Sequence, residues 1–327
     1  MPDLLSFILL SPDTYIYIVW VGMVFFTLTV VFVCRRRRKR RLCLLLSIAL
    51  LASWSIFLWG SYVGVRQLDV VRVDLSFNDL PEAFDGYTIV HFSDVHAGTF
   101  SGSRHDILRR AVDSINAQHA DAVVFTGDLQ NKVPSEILEV KDELSRITAR
   151  DGVFSVLGNH DYTMYSGLTD SFDVSCNQNN TEGYQTDMGW TLLKNNRQII
   201  RRDSSHIVIA GMENDGKGRF PQLGDINKTL HGISRSDFVV MLEHDPTSWR
   251  HRILPHSHAQ LTLSGHTHGG QFSLFGLTPA MLSFREYNGL YHMGQRYLYV
   301  TKGLAGVVPY RFRANPEIVV ITLHSKP

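Results

Sequence analysis

The stretch YTIVHFSDVH, residues 87–96, is an apolar strand that runs into Asp94 and His96. Two later stretches have the same form: DAVVFTGD, residues 121–128, ends at Asp128, and GVFSVLGNHD, residues 152–161, ends in Asn159, His160 and Asp161. Side chains at the carboxyl ends of parallel strands gather at one edge of an α/β sheet. The three stretches therefore predict one sheet with a polar site along its edge.

Amphipathic helices are predicted between these strands. Ser103, with Asp106 as its capping-box partner, is expected to open one helix, and Pro134 is expected to start another. The polar segment 162–190 is expected to be an inserted lobe or a loop. Later strands are predicted at residues 207–210, 238–242, 261–263, 297–300 and 318–323. Strands that alternate with helices early and follow one another later indicate a layered α/β architecture.

Two of the later strands also end in side chains that can bind a metal, namely Glu243-His244 and Gly265-His266-Thr267-His268. The five strand ends together offer carboxylate, carboxamide and imidazole groups, a donor set that suits Mn, Fe, Zn or Co better than copper(I) or an iron–sulfur cluster. The i, i+2 spacing of Asp94 with His96, and of His266 with His268, places each pair on one face of an extended chain. The ordered set predicts a metal site.

Taken in order, Asp-x-His, Gly-Asp, Gly-Asn-His-Asp, His and Gly-His-x-His resemble the calcineurin-like metallophosphoesterase superfamily. Residues 263–271, LSGHTHGGQ, are similar to its membrane-anchored branch. The resemblance covers roughly residues 75–323 and implies an α-β-β-α sandwich with two divalent ions, Mn, Zn or Fe. It implies that one ion is held by Asp94, His96 and His268, the other by Asn159, His244 and His266, and that Asp128 bridges both.

The resemblance also implies that His160 faces the substrate and does not bind metal. Phosphoprotein phosphatases of this superfamily have an Asp-Arg pair shortly after the Gly-Asp motif, where this chain has residues 129–132, LQNK. This departure argues against protein phosphatase activity, and it leaves open which residue orients His160. Asp161 is one candidate, and an N-cap or surface role for Asp161 is the alternative.

This residue set suits hydrolysis of a phosphomonoester or phosphodiester. Two divalent ions carry more charge than Asp94 and Asp128 neutralise, so they can bind a phosphate and stabilise a bridging hydroxide as the nucleophile. Metal coordination lowers the pKa of water from about 15.7 toward 7. His160 is expected to protonate the leaving alkoxide, which is worth about 10²–10⁴-fold in rate. Arg311 is a candidate for holding the substrate phosphate with its bidentate fork, and a salt bridge is the alternative.

Residues 15–33 and 42–65 are uncharged runs long enough to cross a bilayer, and the seven basic residues Arg35–Arg41 lie between them. Because short basic loops stay on the cytoplasmic side, we expect a two-span anchor over residues 1–65 in the cell or inner membrane. The metallophosphoesterase domain, residues 66–327, is then extracytoplasmic. The alternative is a cleaved secretory signal, but the second run is long for one and lacks an obvious small-x-small cleavage site.

Residues 66–327 contain 25 basic and 29 acidic side chains, a net charge of −4 that argues against nucleic acid as a specific partner. The three cysteines form no Cys-x-x-Cys pair, so a thiolate zinc site or a redox motif is not expected. The expected partners are a phosphoester substrate, which could be a lipid headgroup, and the bilayer itself.

Three functions fit this sequence. The first is a membrane-tethered hydrolase of phosphomonoesters or phosphodiesters outside the cytoplasm. The second is a lipid-linked pyrophosphate hydrolase of the UDP-2,3-diacylglucosamine type in lipid A metabolism; the tether favours it, whereas an outward domain would not meet a cytosolic UDP-linked substrate. The third is a non-catalytic metal-binding sensor, which would have no need to keep His160.

Overall fold

The computed structural model describes residues 12–36 and 40–326. It begins with two apolar helices, α1 (Pro12–Arg36) and α2 (Arg40–Leu58), and α2 continues through a π-helical turn (Trp59–Val63) and a 3-10 turn (Gly64–Arg66). Asp13–Arg35 and Arg40–Arg66 are long and apolar enough to cross a membrane. The predicted spans fall within these two segments. Residues 1–11 of the predicted anchor, and 37–39 of the predicted basic loop, lie outside the described residues.

The two apolar helices pack against each other as a hairpin. The indole N–H of Trp54 on α2 donates a 3.0 Å hydrogen bond to the hydroxyl of Thr27 on α1, and the Trp54 ring meets Trp20 edge-on. Large apolar side chains such as Phe25 and Leu51 point outward from the pair. Helices of this kind satisfy their own backbone groups and expose apolar side chains, as lipid requires.

The described residues form twelve strands in two sheets. Their bounds are β1 (Asp69–Phe77), β2 (Tyr87–Phe92), β3 (Ala122–Phe125), β4 (Val153–Ser155), β5 (Thr191–Leu192), β6 (Asn196–Arg202), β7 (Ser205–Gly211), β8 (Phe238–Leu242), β9 (Leu261–Ser264), β10 (Gly289–Met293), β11 (Arg296–Val300) and β12 (Glu317–Ser325). The first sheet has the order β1-β12-β2-β3-β4-β5, and the second has the order β10-β11-β9-β8-β7-β6.

The centre of each sheet is parallel, which brings strand ends together. Strands β2, β3, β4 and β5 run parallel, as do β7, β8, β9 and β11. The register places Phe92 opposite Phe125 in the first sheet and Leu242 opposite Leu263 in the second. The polar residues that follow these four positions therefore leave the sheets side by side.

Helices cover the outer faces of the two sheets. They are α3 (His105–Asn116), α4 (Ser135–Leu138), α5 (Lys141–Leu144), α6 (Ser171–Asp187), α7 (Ile226–Thr229) and α8 (Leu254–His256). One buried apolar cluster lies between the sheets and includes Val124 and Val240. A second joins α3 to the first sheet, and a third places Trp249 and Ile253 over the second sheet. The α-β-β-α layering implied by the resemblance is confirmed.

Two local predictions were wrong, and a third was incomplete. Helix α3 begins at His105 after a 3-10 turn that contains Ser103, and it has no side-chain N-cap. The helix expected from Pro134 is two short segments, α4 and α5, because Val140, with φ −120° and ψ −2°, leaves the helical conformation between them. The segment 162–190 contains the 17-residue helix α6, which Asp170 caps by accepting backbone hydrogen bonds. This helix was not predicted because its sequence is polar and lacks an apolar face.

Candidate metal centre

The five predicted strand ends meet at one place between the two sheets. Asp94 follows β2, Asp128 follows β3, Asn159 follows β4, His244 follows β8, and the pair His266 and His268 follows β9. Potential ligand atoms converge in three overlapping groups: Asp94, His96 and His268; His96, Asp128 and His160; and Asp128, His244 and His266. Six of the seven residues for which the resemblance implies metal binding belong to these groups. The seventh, Asn159, joins the cluster through its contact with His266.

Asp94, His96 and His268 lie on one side of the cluster. Nδ1 of His268 is 3.5 Å from Oδ1 of Asp94, and Nε2 of His96 is 3.7 Å from Oδ2 of Asp128. Among the described residues, neither ring nitrogen of His96 has a hydrogen-bond partner, and neither does Nδ1 of His268. Buried nitrogen atoms that lack a partner are costly unless something else binds them, so they fit a cation.

Asn159, His244 and His266 lie on the other side. Nδ1 of His266 is 2.7 Å from Oδ1 of Asn159 and 3.2 Å from Nε2 of His244. Two imidazole nitrogens and an amide oxygen at these distances form a donor set that suits a divalent ion. Nε2 of His244 is also 3.2 Å from Oδ2 of Asp128.

Asp128 is thus shared by the two sides. Its Oδ2 atom is the oxygen near both His96 and His244, and its Oδ1 atom accepts a 2.9 Å hydrogen bond from the backbone N–H of His160. The carboxylate plane is therefore fixed with one oxygen turned into the cluster. This geometry is what a bridging ligand requires.

Neighbouring groups fix the orientation of two other candidate ligands. Nδ1 of His244 donates to the carbonyl oxygen of Thr126 at 2.7 Å, which directs Nε2 into the cluster. The amide nitrogen of Asn159 donates to the hydroxyl of Tyr165 at 3.1 Å, which turns the amide oxygen inward. Partners of this kind set the tautomer and direction of metal ligands in proteins.

The backbone is strained at the cluster. Five of the seven candidate ligands adopt positive φ angles: Asp94 54°, His96 44°, Asp128 61°, His266 73° and His268 52°. Residues other than glycine rarely occupy this left-handed region, which costs on the order of 1–3 kcal/mol each. Such strain persists where the surrounding structure enforces it, commonly at a functional site.

Burial dominates the electrostatics of the cluster. It raises the pKa of Asp94 to about 7, with a further contribution from the charge of Asp128. It lowers the pKa of His96 to about 3 and that of His266 below its usual value. For His244, burial opposes the charged form, but Asp128 and Asp94 raise its pKa to about 10. Two buried carboxylates among mostly neutral imidazoles make a site in which a metal cation can replace a proton.

His160 lies against the cluster and is held by a group that the sequence did not indicate. Its Nδ1 atom is 2.6 Å from the backbone carbonyl of Asn131, and its ring lies over Tyr165 with the centroids 4.1 Å apart. Burial lowers the pKa of His160. The carbonyl fixes one ring nitrogen, so Nε2 is the ring nitrogen left to interact with a ligand.

Among the described residues, the hydrogen bonds of the Asp161 carboxylate go to backbone N–H groups and not to the His160 ring. Its carboxylate accepts hydrogen bonds of 2.9 Å from the backbone N–H groups of Gly158, Asp128 and Leu129. It therefore ties the turn after β4 to the turn after β3. This backbone role resembles the N-cap alternative. It gives no support to the suggestion that Asp161 orients His160.

Arg311 does not lie where a phosphate ligand was expected. It is 1% exposed, and its two terminal nitrogens donate to four backbone carbonyl oxygens, those of His268, Lys302, Ala305 and Ala314. Neither terminal nitrogen is left for a bidentate contact with phosphate, and the salt-bridge alternative does not describe the arrangement either. The side chain instead supports the loop that carries His268.

Sequence reasoning missed several residues around the cluster. Besides Asn131 and Tyr165, these include Asp245, whose Oδ2 is 3.7 Å from Nε2 of His266, and Phe220 and Phe284, whose rings pack against His266. A carbonyl contact has no side-chain signature in a sequence. Asp245 directly follows His244, which was a predicted ligand. Among these residues, only Asp245 could therefore have been identified from its position in the sequence.

The pattern of the calcineurin-like phosphoesterase family matches residues 87–270, a range that includes every candidate ligand of the cluster. The chain belongs to the calcineurin-like phosphoesterase family. It is a metallophosphoesterase, a metal-dependent hydrolase of phosphoric esters.

The similarity of this metallophosphoesterase to two curated relatives covers more of the chain than residues 87–270. The chain is 29% identical over 276 residues to the uncharacterized metallophosphoesterase YkuE of Bacillus subtilis, covering 82% of this chain and 89% of that protein. It is 29% identical over 285 residues to the transmembrane protein with metallophosphoesterase domain of Danio rerio, covering 84% of this chain and 62% of that protein. A solved structure of a protein from Thermus thermophilus aligns with a TM-score of 0.40 at 14% identity over 67% of this chain and 90% of that chain.

Proposed function

We propose that this metallophosphoesterase is a membrane-tethered hydrolase of phosphomonoesters or phosphodiesters that uses two divalent ions. The observation that carries the proposal is the position of Asp128 between two groups of ligand atoms, with the same oxygen near His96 and His244. A single ion would need only one of these groups. The ligand types suit Mn, Zn or Fe.

The side chains divide naturally into two sets. Asp94, His96 and His268 would hold one ion, Asn159, His244 and His266 would hold the other, and Asp128 would contact both. Bound ions of this kind act as Lewis acids toward phosphoryl oxygens and make a water molecule nucleophilic at neutral pH. The contribution of the protein is to hold the seven ligands rigidly, through the strained turns and the backbone contacts of Asp161.

His160 is proposed to give a proton to the leaving group. Its Nδ1 atom is occupied by the carbonyl of Asn131, so the proton would leave from Nε2. Contact with Tyr165 on one ring face limits the rotation of the imidazole. A positioned imidazole in this role contributes about 10²–10⁴-fold to the rate.

The tether is proposed to place the catalytic domain outside the cytoplasm. Helix α1 begins at the end of the helix hairpin that faces the domain, where Asp13 pairs with Arg104 at 2.8 Å. The chain leaves the hairpin after α2 at the same end. The basic residues Arg35, Arg36, Arg40 and Arg41 lie at the opposite end of the hairpin. Cationic ends of membrane helices stay in the cytoplasm, which supports this orientation.

The test is turnover by the purified full chain in detergent, loaded with Mn²⁺ or Zn²⁺ and given nitrophenyl phosphate and bis-nitrophenyl phosphate. Hydrolysis should depend on added metal and should be lost in Asp128→Asn. The matched control is Asp203→Asn, an exposed carboxylate far along the chain from the cluster, which should keep full activity. Bound metal without turnover of any phosphoester would instead support the non-catalytic sensor.

A further inference from the structure

The loop between the 3-10 turn His268–Gly270 and β10 exposes large apolar side chains. Phe275 is 87% exposed, Leu277 is 66% exposed and Leu282 is 91% exposed. The backbone of Leu274 pairs with that of Leu277, so Phe275 lies at the tip of a tight turn. We call residues 272–284 the apolar loop. Exposed apolar patches of this kind mark a surface that binds a partner or a membrane.

Both ends of the apolar loop reach the metal-ligand cluster. The loop begins four residues after His268, and at its other end the ring of Phe284 packs edge-on against His266 with the centroids 5.3 Å apart. The hydroxyl of Thr267 bonds to the carbonyl of Tyr287 just beyond the loop. A ligand that contacts the loop therefore lies beside the residues proposed to bind metal.

The first residue of the apolar loop also borders a cavity against the membrane helices. The cavity has a volume of about 500 Å³ and lies between α1, α2 and the catalytic domain. Its apolar walls include Ile16, Val19, Ile56, Phe57, Phe272 and Tyr310. The loop tip at Phe275 is three positions after Phe272, a reach of about 10 Å at most. The apolar loop thus starts at the wall of the cavity.

Under the proposed membrane tether, the cavity and the start of the apolar loop lie at the bilayer boundary. Ile16 and Val19 are in the first turns of α1, and Ile56 and Phe57 are at the end of α2, so all four belong to the end of the hairpin that faces the domain. Trp59 and Tyr62, which follow them, are both exposed. Trp and Tyr are enriched where a membrane helix leaves the hydrocarbon.

The catalytic domain is fixed to this end of the hairpin. The backbone N–H of Arg311 donates a 2.9 Å hydrogen bond to the carbonyl oxygen of Gly60. The ring of Tyr310 packs so closely on Gly60 that a Cβ atom there would overlap it. The cavity is therefore held in one position relative to the cluster.

We propose that the cavity and the apolar loop bind a membrane lipid and present its phosphoester headgroup to the metal-ligand cluster. An acyl chain would occupy the cavity, whose volume is typical of ligand pockets, and the apolar loop would lie in the outer leaflet beside it. Hydrolysis would add water across the P–O ester bond, with oxygen going to phosphorus and a proton to the departing alcohol. This inference rests on the proposed function, because it names the substrate class of the same site.

The kinetic test compares long-chain lipids in vesicles with their soluble short-chain counterparts, using phosphatidic acid, phosphatidylglycerol and phosphatidylethanolamine. Phe275→Ser/Leu282→Ser should lower turnover of the vesicle lipid on the order of tenfold or more, since it removes apolar contact with the bilayer, and should leave the soluble ester unchanged. Phe172→Ser/Leu138→Ser, a matched pair of exposed side chains elsewhere, should change neither.

The cavity has its own test. Ser53→Phe should narrow it and reduce turnover of the long-chain lipid only, whereas Ile48→Phe, on an exposed position of the same helix, should have no effect. Equal turnover of lipid and soluble ester in all variants, or turnover of soluble esters without any vesicle lipid, would overturn the proposed presentation.

A measurement without catalysis separates this inference from the proposed function. Leu282→Cys, in a chain whose Cys34, Cys43 and Cys176 are replaced by serine, is labelled with a fluorophore and placed in nanodiscs that contain nitroxide lipids. We expect quenching at position 282 and none at a matched Leu138→Cys label. Quenching without turnover of any phosphoester would overturn the proposed function and keep the lipid-binding surface. Absence of quenching would overturn the surface, whatever the activity.

Discussion

Nη1 of Arg311 donates a 3.0 Å hydrogen bond to the backbone carbonyl of His268. The same guanidinium reaches three other carbonyl oxygens, and the backbone N–H of Arg311 donates to the carbonyl oxygen of Gly60, in the π-helical turn that follows apolar helix α2. One buried residue therefore joins a candidate metal ligand to the proposed membrane anchor. Burial lowers the pKa of Arg311 to about 10, yet the guanidinium remains charged at neutral pH.

Arg311→Lys should destabilise the fold and weaken metal binding without a large effect on substrate affinity. A lysine ammonium has three donors on one atom and cannot reach four carbonyls that are spread around a planar fork. We expect a loss of about 3 kcal/mol in the free energy of unfolding, together with a lower metal content. Denaturation in detergent would measure the free energy of unfolding, and elemental analysis would measure the metal content. Separate determination of kcat and KM would show whether substrate affinity changes.

Arg313→Lys is the matched control, because Arg313 is exposed two residues away. It should change neither stability nor metal content. If Arg311→Lys instead raised KM for phosphoesters and left stability intact, Arg311 would regain the role of a phosphate ligand.

The roles of Arg311 and Asp161 show where prediction from the sequence stops. His266 and His268 could be identified because each polar side chain closely follows an apolar strand, and parallel strands bring such ends together. Arg311 and Asp161 act through backbone groups, on carbonyl oxygens and N–H groups that residues of every type carry. Helix α6 was missed for a related reason: its polar sequence has little apolar periodicity, and its position depends on buried polar contacts such as that of Thr181 with Gln130.

Asp128→Asn should remove more metal than His96→Ala. Oδ2 of Asp128 lies near nitrogens of both ligand groups, so the substitution weakens both proposed ions and removes the charge between them. Loss of a group that only orients a ligand lowers metal affinity by about 10–100-fold. Loss of a ligand itself should lower the affinity by at least as much. Elemental analysis of the purified full chain should find less than one equivalent in Asp128→Asn and close to one in His96→Ala.

Asp203→Asn, at an exposed position, should keep both equivalents and controls for the change of charge. Two full equivalents of metal in Asp128→Asn would exclude the bridging role.

His160→Ala should separate proton donation from binding. The variant should keep its metal, and kcat should fall on the order of 10²–10⁴-fold for alkyl phosphoesters, whose alkoxide needs a proton. The loss should be much smaller for nitrophenyl esters, since nitrophenolate is stable without one. His119→Ala, which replaces an exposed histidine, is the control and should behave like the wild type. Equal losses on both substrate types would mean that His160 positions the substrate.

The orientation of the anchor can be tested with a reporter enzyme that is active only after export. Fusion after Val65 should give an active reporter, and fusion within residues 35–41 should give an inactive one, because the basic residues hold that loop in the cytoplasm. A reporter that is active only in the cytoplasm serves as the reciprocal control and should give the opposite pattern. Export of the basic loop would place the catalytic domain in the cytosol and would make a nucleotide-linked lipid substrate accessible to it.

The last prediction concerns His91, which is buried on β2 outside the candidate metal centre. Its Nε2 atom is 2.8 Å from the hydroxyl of Thr126, and burial lowers its pKa to about 3. The ordinary pKa of histidine is about 6.5, so between these values the unfolded chain binds a proton that the folded chain does not. Stability must therefore fall as the pH falls through this range.

His91→Phe should remove this acid sensitivity. The wild type should lose about 2 kcal/mol from this group between pH 6.5 and pH 5, whereas the variant should lose none of it. At pH 7.5 the variant should be about 1 kcal/mol less stable, because Thr126 loses a hydrogen-bond partner. Chemical denaturation of both chains in detergent across this pH range measures the difference. His231→Phe, which replaces an exposed histidine, is the control and should keep the acid sensitivity of the wild type. If the curve for His91→Phe were also parallel to the wild type, His91 would not be the neutral buried group described here.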